Sequence, residues 1–254
     1  MPKFFVDNNQ VKDNKIVVIG EDVNHIKNVL RLNENDNIQI CNRDTSKNYN
    51  CEICNLSEEC ISCRILNEIE SNAESNIFVN IFQGLPKSDK MELIIQKCVE
   101  LGAFEITPIE MKRCVSKVDE KSKPKKNLRW QKISEVAAKQ CGRDIVPKIN
   151  EIVNVKTICN FINDYDIVLV AYENEQINRL KEELSKLKNK HSDKIRIGIV
   201  IGPEGGIEKG EIEILKQSGA KIVTLGKRIL RTETVALTLL SIIMYELGDL
   251  GGNI

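Results

Sequence analysis

The chain has 254 residues, of which 41% are hydrophobic and 29% charged, and its formal net charge is zero at pH 7. That balance excludes a disordered polyelectrolyte, which needs fewer apolar residues and more net charge, and the length suits two modest domains or one large one. Aromatic residues are only 4%, so Leu, Ile and Val must fill the core.

Charge is unevenly spread. Residues 1–75 carry 8 Lys/Arg and 13 Asp/Glu, a net −5, and the remainder carries the compensating +5. Residues 111–148 hold 12 basic and 4 acidic side chains. Such a window in a neutral protein is either a polyanion-binding face or a solvated loop and helix surface. Met1-Pro2-Lys3-Phe4-Phe5 turns polar at once and lacks a signal-peptide core. The most apolar run, Val235 to Leu247, is interrupted by Thr238, Ser241 and Glu246 and is too short for a membrane span. The expectation is a cytoplasmic protein with no membrane contact, whose nine cysteines stay reduced.

Residues 1–70 contain short alternating runs. Ile16–Ile19 and Ile38–Ile40 read as strands of a small β domain, with His25–Leu32 a helical turn between them. Cys51, Cys54, Cys60 and Cys63 then form two Cys-x2-Cys pairs. Their gap is short against the roughly 15–20 residues usual in zinc sites. Tyr49, Cys51 and Ile53 alternate with polar positions, as do Ile61, Cys63 and Ile65, so a hairpin turning at 55–59 is the better reading. Residues i and i+3 of a strand face opposite sides and cannot converge on one ion. No metal site is expected. Residues 71–76 read as a linker.

From Ile77 the chain alternates strand and helix. Strands are expected at 77–82, 104–109, 166–171, 195–201 and 221–225. Helices are expected at 89–101, capped by Asp89 and Glu92 and stopped by Gly102, and at 128–141, 175–187, 208–217 and 232–247. This alternation predicts an α/β domain with a parallel sheet covered on both faces.

In such sheets ligands bind beyond the carboxyl ends of strands. Two ends are unusual: Ile201-Gly202-Pro203-Glu204-Gly205-Gly206, and Leu225 to Glu233, which runs into the last helix. The glycines bring backbone groups close to a ligand, and a helix start presents free N–H groups. Neither loop has the spacing of a Walker or dinucleotide cradle.

At these residues the sequence resembles the SPOUT class of methyltransferases, and within it the RsmE family of ribosomal RNA uridine-N3 methyltransferases. The resemblance rests on His25-x3-Val29-Leu30-Arg31, Gln83-Gly84-Leu85-Pro86-Lys87 with Lys90-Met91-Glu92, and Lys97 to Gly102. It continues through Ala137 to Arg143 with Pro147, Ile201 to Gly206, Leu225-Gly226 with Arg228 to Thr234, and Gly248 to Gly251. The chain departs from the family at Arg113-Cys114-Val115-Ser116-Lys117, where Ser-Val-Val-Lys is usual. The resemblance implies a PUA-like β-barrel over residues 1–72 and a SPOUT (α/β knot) domain over 73–254 with a C-terminal trefoil knot. It also implies a homodimer, S-adenosylmethionine as cofactor, and N3 of a uridine in small-subunit ribosomal RNA as target. The implied donor pocket uses backbone near Gly202, Gly205, Leu225 and Leu230, with Ile201, Gly226 and Arg231 beside them.

Uridine N3 must lose a proton before it attacks the methyl group. Arg231 is the candidate to stabilise the resulting anion, because a guanidinium stays charged and bonds two acceptors; the other reading is a salt bridge bracing the loop. Glu204 or Glu233 is either a base or a partner for loop and helix-start N–H groups. Arg31, Lys139 and Arg143 are candidate RNA contacts or ordinary exposed cations. A non-catalytic RNA-binding module, a nucleotide-dependent α/β enzyme and a methyltransferase for another RNA position remain as alternatives.

Overall fold

The period-two runs of the first seventy residues pair into one mixed sheet. Its strands are β1 (Lys3–Val6), β2 (Val11–Lys12), β3 (Lys15–Ile19), β4 (Asn37–Asn42), β5 (Asn48–Leu56) and β6 (Cys60–Ile69), in the order β1-β4-β5-β6-β3-β2. Only β1 runs parallel to its neighbour, β4. A short helix, α1 (Glu21–Asn24), continues as a wider turn over His25–Val29. The computed structural model describes residues 1–70, 73–188 and 194–251. Part of the expected linker, at 71–72, and His191 lie outside them.

One core, including Phe4, Val18, Ile26, Ile38 and Ile61, sits behind this sheet. The cysteine hairpin is present: Cys51 and Cys63 are in that core and Cys54 is exposed, as opposite strand faces require. Burial pushes the Cys51 and Cys63 thiols up to about 12. Strand β1 was not foreseen, because all four of its residues are buried and it shows no alternation.

The chain clusters into two units, Met1–Glu74 with Ala138–Val146, and Ser75–Ala137 with Pro147–Ile254. The sequence suggested a single cut and gave no sign that 138–146 returns to the first unit. Its anchors there are polar. Lys3 pairs with Asp144 and donates to the Gly142 carbonyl, the Cys41 thiol donates to the Asp144 carbonyl at 3.1 Å, and Arg143 forks onto Glu74 at 3.2 and 2.6 Å.

The second unit holds β7 (Ile77–Gly84), α2 (Lys90–Glu100), β8 (Glu105–Glu110), α3 (Lys123–Cys141, whose last turn clusters with the first unit), β9 (Lys148–Ile149) and β10 (Val153–Asn154). It continues with α4 (Val155–Phe161), β11 (Ile167–Ala171), α5 (Leu180–Lys188), β12 (Ile195–Ile201), α6 (Lys209–Gln217), β13 (Lys221–Val223) and α7 (Thr232–Glu246). Every pairing is parallel, in the order β10-β8-β7-β12-β11-β13, with β9 also on β8. Central strands β7 and β12 are almost wholly buried, which is why they read as continuous apolar runs. α4 and α6 pack a core on one side through Ile158, Ile212 and Leu215, and α7 packs on β7, β12 and α2.

Some local expectations change, and α3 begins at Lys123 rather than 128. Asp89 makes no side-chain cap, since its backbone (φ −85°, ψ 7°) lies outside the extended region an N-cap needs; Glu92 bonds Arg129 at 2.6 Å instead. α5 begins at Leu180 rather than 175. The Glu175 carboxylate accepts the N–H groups of residues 176–178, and the Asn178 carbonyl accepts from Thr224, which holds this stretch in a turn ahead of the helix. β9, β10 and α4, between 142 and 165, had no reading at all; α4 starts on an Asn154 cap that accepts from the Thr157 amide.

Candidate functional site

In the sheet, β11 stands between β12 and β13, so the two glycine-bearing strand ends flank a third. All three converge on a cavity of about 410 Å³, a size suited to a cofactor-like ligand. Ile201, Gly202, Glu204, Gly205, Leu225, Gly226, Leu230 and Arg231, all read from the sequence, line it. Lys90, Tyr172, Glu173 and Arg228 line it as well. The sequence reading did not assign these four to the site, although Lys90 and Arg228 lie in the stretches that carry the resemblance; Tyr172 and Glu173 follow β11, whose place between β12 and β13 is a tertiary fact.

The glycines serve the loop before they serve a ligand. A Cβ on Gly84 would lie 2.7 Å from the Pro203 nitrogen, so β7 and the 202–206 loop touch backbone to backbone. A Cβ on Gly205 would lie 3.0 Å from the Arg113 carbonyl oxygen, and Arg113 Nη1 donates to the Gly205 carbonyl at 3.1 Å. The departing segment at 113–117 is therefore the neighbour that makes Gly205 necessary.

A buried hydrogen-bond relay joins the cavity's walls. Gln83, wholly buried at the end of β7, donates Nε2 to Thr232 Oγ1 at 2.8 Å, and Thr232 donates to the Gly202 carbonyl at 2.7 Å. Thr232 opens α7 directly after Arg231, the N-cap residue. The relay thus fixes the donor loop to the helix start that carries Arg231.

Lys90 reaches both candidate carboxylates, at 3.1 Å from Glu204 and 3.3 Å from Glu233. Glu204 also accepts the Lys87 amide at 3.1 Å. Burial alone would raise the Glu204 carboxyl. The backbone N–H groups of Glu204 and Lys87, with the Lys90 ammonium, outweigh it and hold the group below its ordinary value of 4.5. The hydrogen bond to Glu204 in turn raises Lys90, with burial opposing and Glu233 adding. Glu233 does not line the cavity; its Oε2 is buried and faces Lys90 without hydrogen-bond alignment.

Arg231 is exposed and makes no ion pair with any described residue, so the bracing salt bridge is not formed. Glu173 and Arg228, also exposed, are likewise unpaired. A cavity with backbone walls, one free carboxylate and two free guanidinium groups suits a ligand carrying both signs of charge. S-adenosylmethionine, with its sulfonium, ammonium and carboxylate, is such a ligand.

The three RNA candidates are distributed differently. Arg31 is exposed, at φ +55°, without an ion pair. Lys139 lies 2.8 Å from both oxygens of Asp22, and the Arg143 side chain is 7% exposed against Glu74. Both are engaged by carboxylates within their own unit, which suits braces for 138–146 better than phosphate contacts.

Comparison with known proteins agrees with this geometry. The RNA methyltransferase domain family matches residues 73–244, and the RNA methyltransferase PUA domain family matches 18–66. The chain is 39% identical over 240 residues to the ribosomal RNA small subunit methyltransferase E of Bacillus subtilis, covering 93% of this chain and 92% of that one. It is 31% identical over 254 residues to ribosomal RNA small subunit methyltransferase E 2 of Borreliella burgdorferi, covering 99% and 100%. Among solved structures, a ribosomal RNA small subunit methyltransferase E from Neisseria gonorrhoeae bound to S-adenosyl methionine superposes with a TM-score of 0.85 at 28% identity, covering 98% and 99%.

Proposed function

The chain belongs to the family of ribosomal RNA small subunit methyltransferases E, and from this premise we propose that it methylates N3 of a uridine in small-subunit ribosomal RNA, holding the donor between 201–206 and 224–231. Its activity is S-adenosylmethionine-dependent methylation of ribosomal RNA. The observation that carries the placement is the convergence of three strand ends on one backbone-walled cavity beside an unpaired Arg231.

Bound S-adenosylmethionine supplies a methyl group already activated on a sulfonium, chemistry that calls for no metal. The protein's part is binding and orientation. Backbone groups at Gly202, Gly205, Leu225, Gly226 and Leu230, with Ile201, hold the donor. Arg231 stabilises the negative charge that develops when N3 loses its proton, a role that needs a permanently charged, forked donor.

Glu204 fits poorly as a base. Its folded value lies below 4.5, so its ionised clamp is present above that value and is lost as pH falls through the lowered one. Lys90 is raised above 10.5, so its half is present below that value and is lost as pH rises through the raised one. Between those limits the Glu204–Lys90 pair keeps both charges, and a carboxylate so weakly basic accepts a proton reluctantly at neutral pH. The two glutamates position Lys90, the donor loop and the start of α7, and the N3 proton leaves to water.

The remaining parts of the reading rest on family membership. The first unit, with Arg31, holds RNA; the second carries the C-terminal trefoil knot; the enzyme works as a cytoplasmic homodimer. No helix among the described residues is long and apolar enough to cross a membrane.

Single-turnover methylation at saturating donor, over a range of RNA concentrations, tests the assignment. Arg231→Ala depresses the plateau, because a contact made only as charge develops is lost. Arg31→Ala raises the RNA concentration for half-maximal rate and leaves the plateau in place. If Arg231→Ala shifts only the half-saturation point, Arg231 is a binding residue and the stabilising role is withdrawn.

A further inference from the structure

The 111–148 window reads as one basic stretch in the sequence, but the structure divides it. Lys112 pairs with Glu208, Lys123 with Glu110 and Glu120, and Arg129 with Glu92. Lys139 and Arg143 are engaged by Asp22 and Glu74. On the stretch that leads into the first turn of α3, Lys117, Lys121, Lys125 and Lys126 are exposed and form no ion pair with any described residue; Lys148, apart from them on β9, is exposed and unpaired as well. The acids among them are occupied, Asp119 by the Ser122 amide and Glu120 by Lys123.

This stretch is fastened rather than loose. Val118 is 7% exposed, and Cys114 packs against the core behind the sheet while accepting the Met111 amide on its sulfur. The lysines therefore point outward from an anchored backbone. Its near end meets the donor cavity, where Arg113 bonds the Gly205 carbonyl.

A second feature points to an anionic partner. α3 begins at Lys123 and has no acidic residue in its first turn, while Lys123, Lys125 and Lys126 crowd there. Cations at a helix N-terminus oppose its dipole. A phosphate group offsets both the dipole and the mutual repulsion of the lysines.

We propose that Lys117, Lys121, Lys125 and Lys126 form a docking surface for the sugar-phosphate backbone of the acceptor RNA, leading it from the start of α3 to the wall of the donor cavity. This rests on the reading of the cavity as the donor site and of ribosomal RNA as the acceptor. The surface carries no base-reading geometry, so its contribution is sequence-independent and depends on salt. Arg113 stands at its inner end, bonded to the carbonyl of Gly205 in the cavity wall.

The test is the triple variant Lys117→Glu, Lys121→Glu, Lys125→Glu in the full chain, with binding to a small-subunit ribosomal RNA fragment measured from low to moderate salt. Expected are a loss of at least about tenfold in RNA affinity and a salt slope shallower by about 2, since each single-strand phosphate contact contributes about 0.7. Calorimetry with S-adenosylmethionine gives unchanged donor affinity and doubles as the folding control. A matched reversal at Lys156, Lys216 and Lys221, exposed on α4, α6 and β13, costs far less. Equal losses in the two triples would reduce the effect to net charge and overturn the proposal, as would an unchanged slope in the first. Loss of binding to the assembled subunit with undiminished binding to the RNA fragment would place the partner on protein and also overturn it. A wild-type chain that binds neither RNA nor donor would instead count against the reading of the enzyme itself. Should the triple variant not fold, Lys117→Gln with Lys121→Gln on the loop alone gives the same slope test, with an expected change of about 1.4.

Discussion

Thr232 has one hydroxyl proton and gives it to the Gly202 carbonyl, so it must accept from Gln83. Removing the hydroxyl strands two buried groups at once, at about 1–3 kcal/mol each. Thr232→Val keeps the shape and loses the relay. It should weaken donor binding by about tenfold or more in calorimetry, while RNA binding stays as in the wild type. Thr232→Ser should restore the donor affinity. A general packing role predicts a different pattern, in which Val, matching the volume, is better tolerated than Ser. If Thr232→Val binds donor as the wild type does at a temperature where both are folded, the relay does not position the loop.

At the scale of elements, the donor loop and the 111–114 segment form one assembly. A Cβ on Gly205 would lie 3.0 Å from the Arg113 carbonyl oxygen, and the Arg113 side chain returns to the Gly205 carbonyl. Lys112 extends the attachment to α6 through its amide on Glu211, at 3.0 Å. A branched side chain at Gly205 must push this segment away, because carbonyl oxygen and backbone give little. Gly205→Val should abolish donor binding and also expose Cys114, which a thiol-reactive probe would report as faster labelling. Unchanged affinity together with unchanged labelling in the folded variant would refute the coupling. Local pattern suggests a different reason for this glycine, direct approach to a ligand, because a neighbour 92 positions away is invisible to it.

At the scale of the whole molecule, the last helix bears on assembly. At helical spacing Val235, Leu239, Ile242 and Ile243 form one apolar face of α7, more than a single packed side needs. Leu239 and Ile243 are wholly buried within the chain's own fold. Val235 and Ile242 are half-buried and Tyr245 is 65% exposed, so a second, outer stripe remains. A homodimer through this stripe should give twice the 28.8 kDa chain mass by light scattering at micromolar concentration. Ile242→Asp with Tyr245→Asp should halve that mass and reduce turnover. A monomeric wild type with full activity would rule the dimer out.

What the sequence determined by itself follows from periodicity and spacing. Alternation located the cysteine hairpin, because a side chain's face is set by its position in the strand, and short apolar runs between helical stretches located the sheet strands from Ile77 onward. Glycine spacing at the ends of β12 and β13, with the residues around Arg231, marked the donor loops and carried the family resemblance. Only the tertiary structure decided what distant pairing decides. It set β11 between β12 and β13, bringing Glu173 to the cavity. It placed Lys90 within 3.1 Å of Glu204 and 3.3 Å of Glu233. It matched Lys139 and Arg143 with carboxylates and left Lys117 to Lys126 with none, except at Lys123. A charge's function depends on which opposite charge the fold brings within about 4 Å, and no local run of residues states that distance.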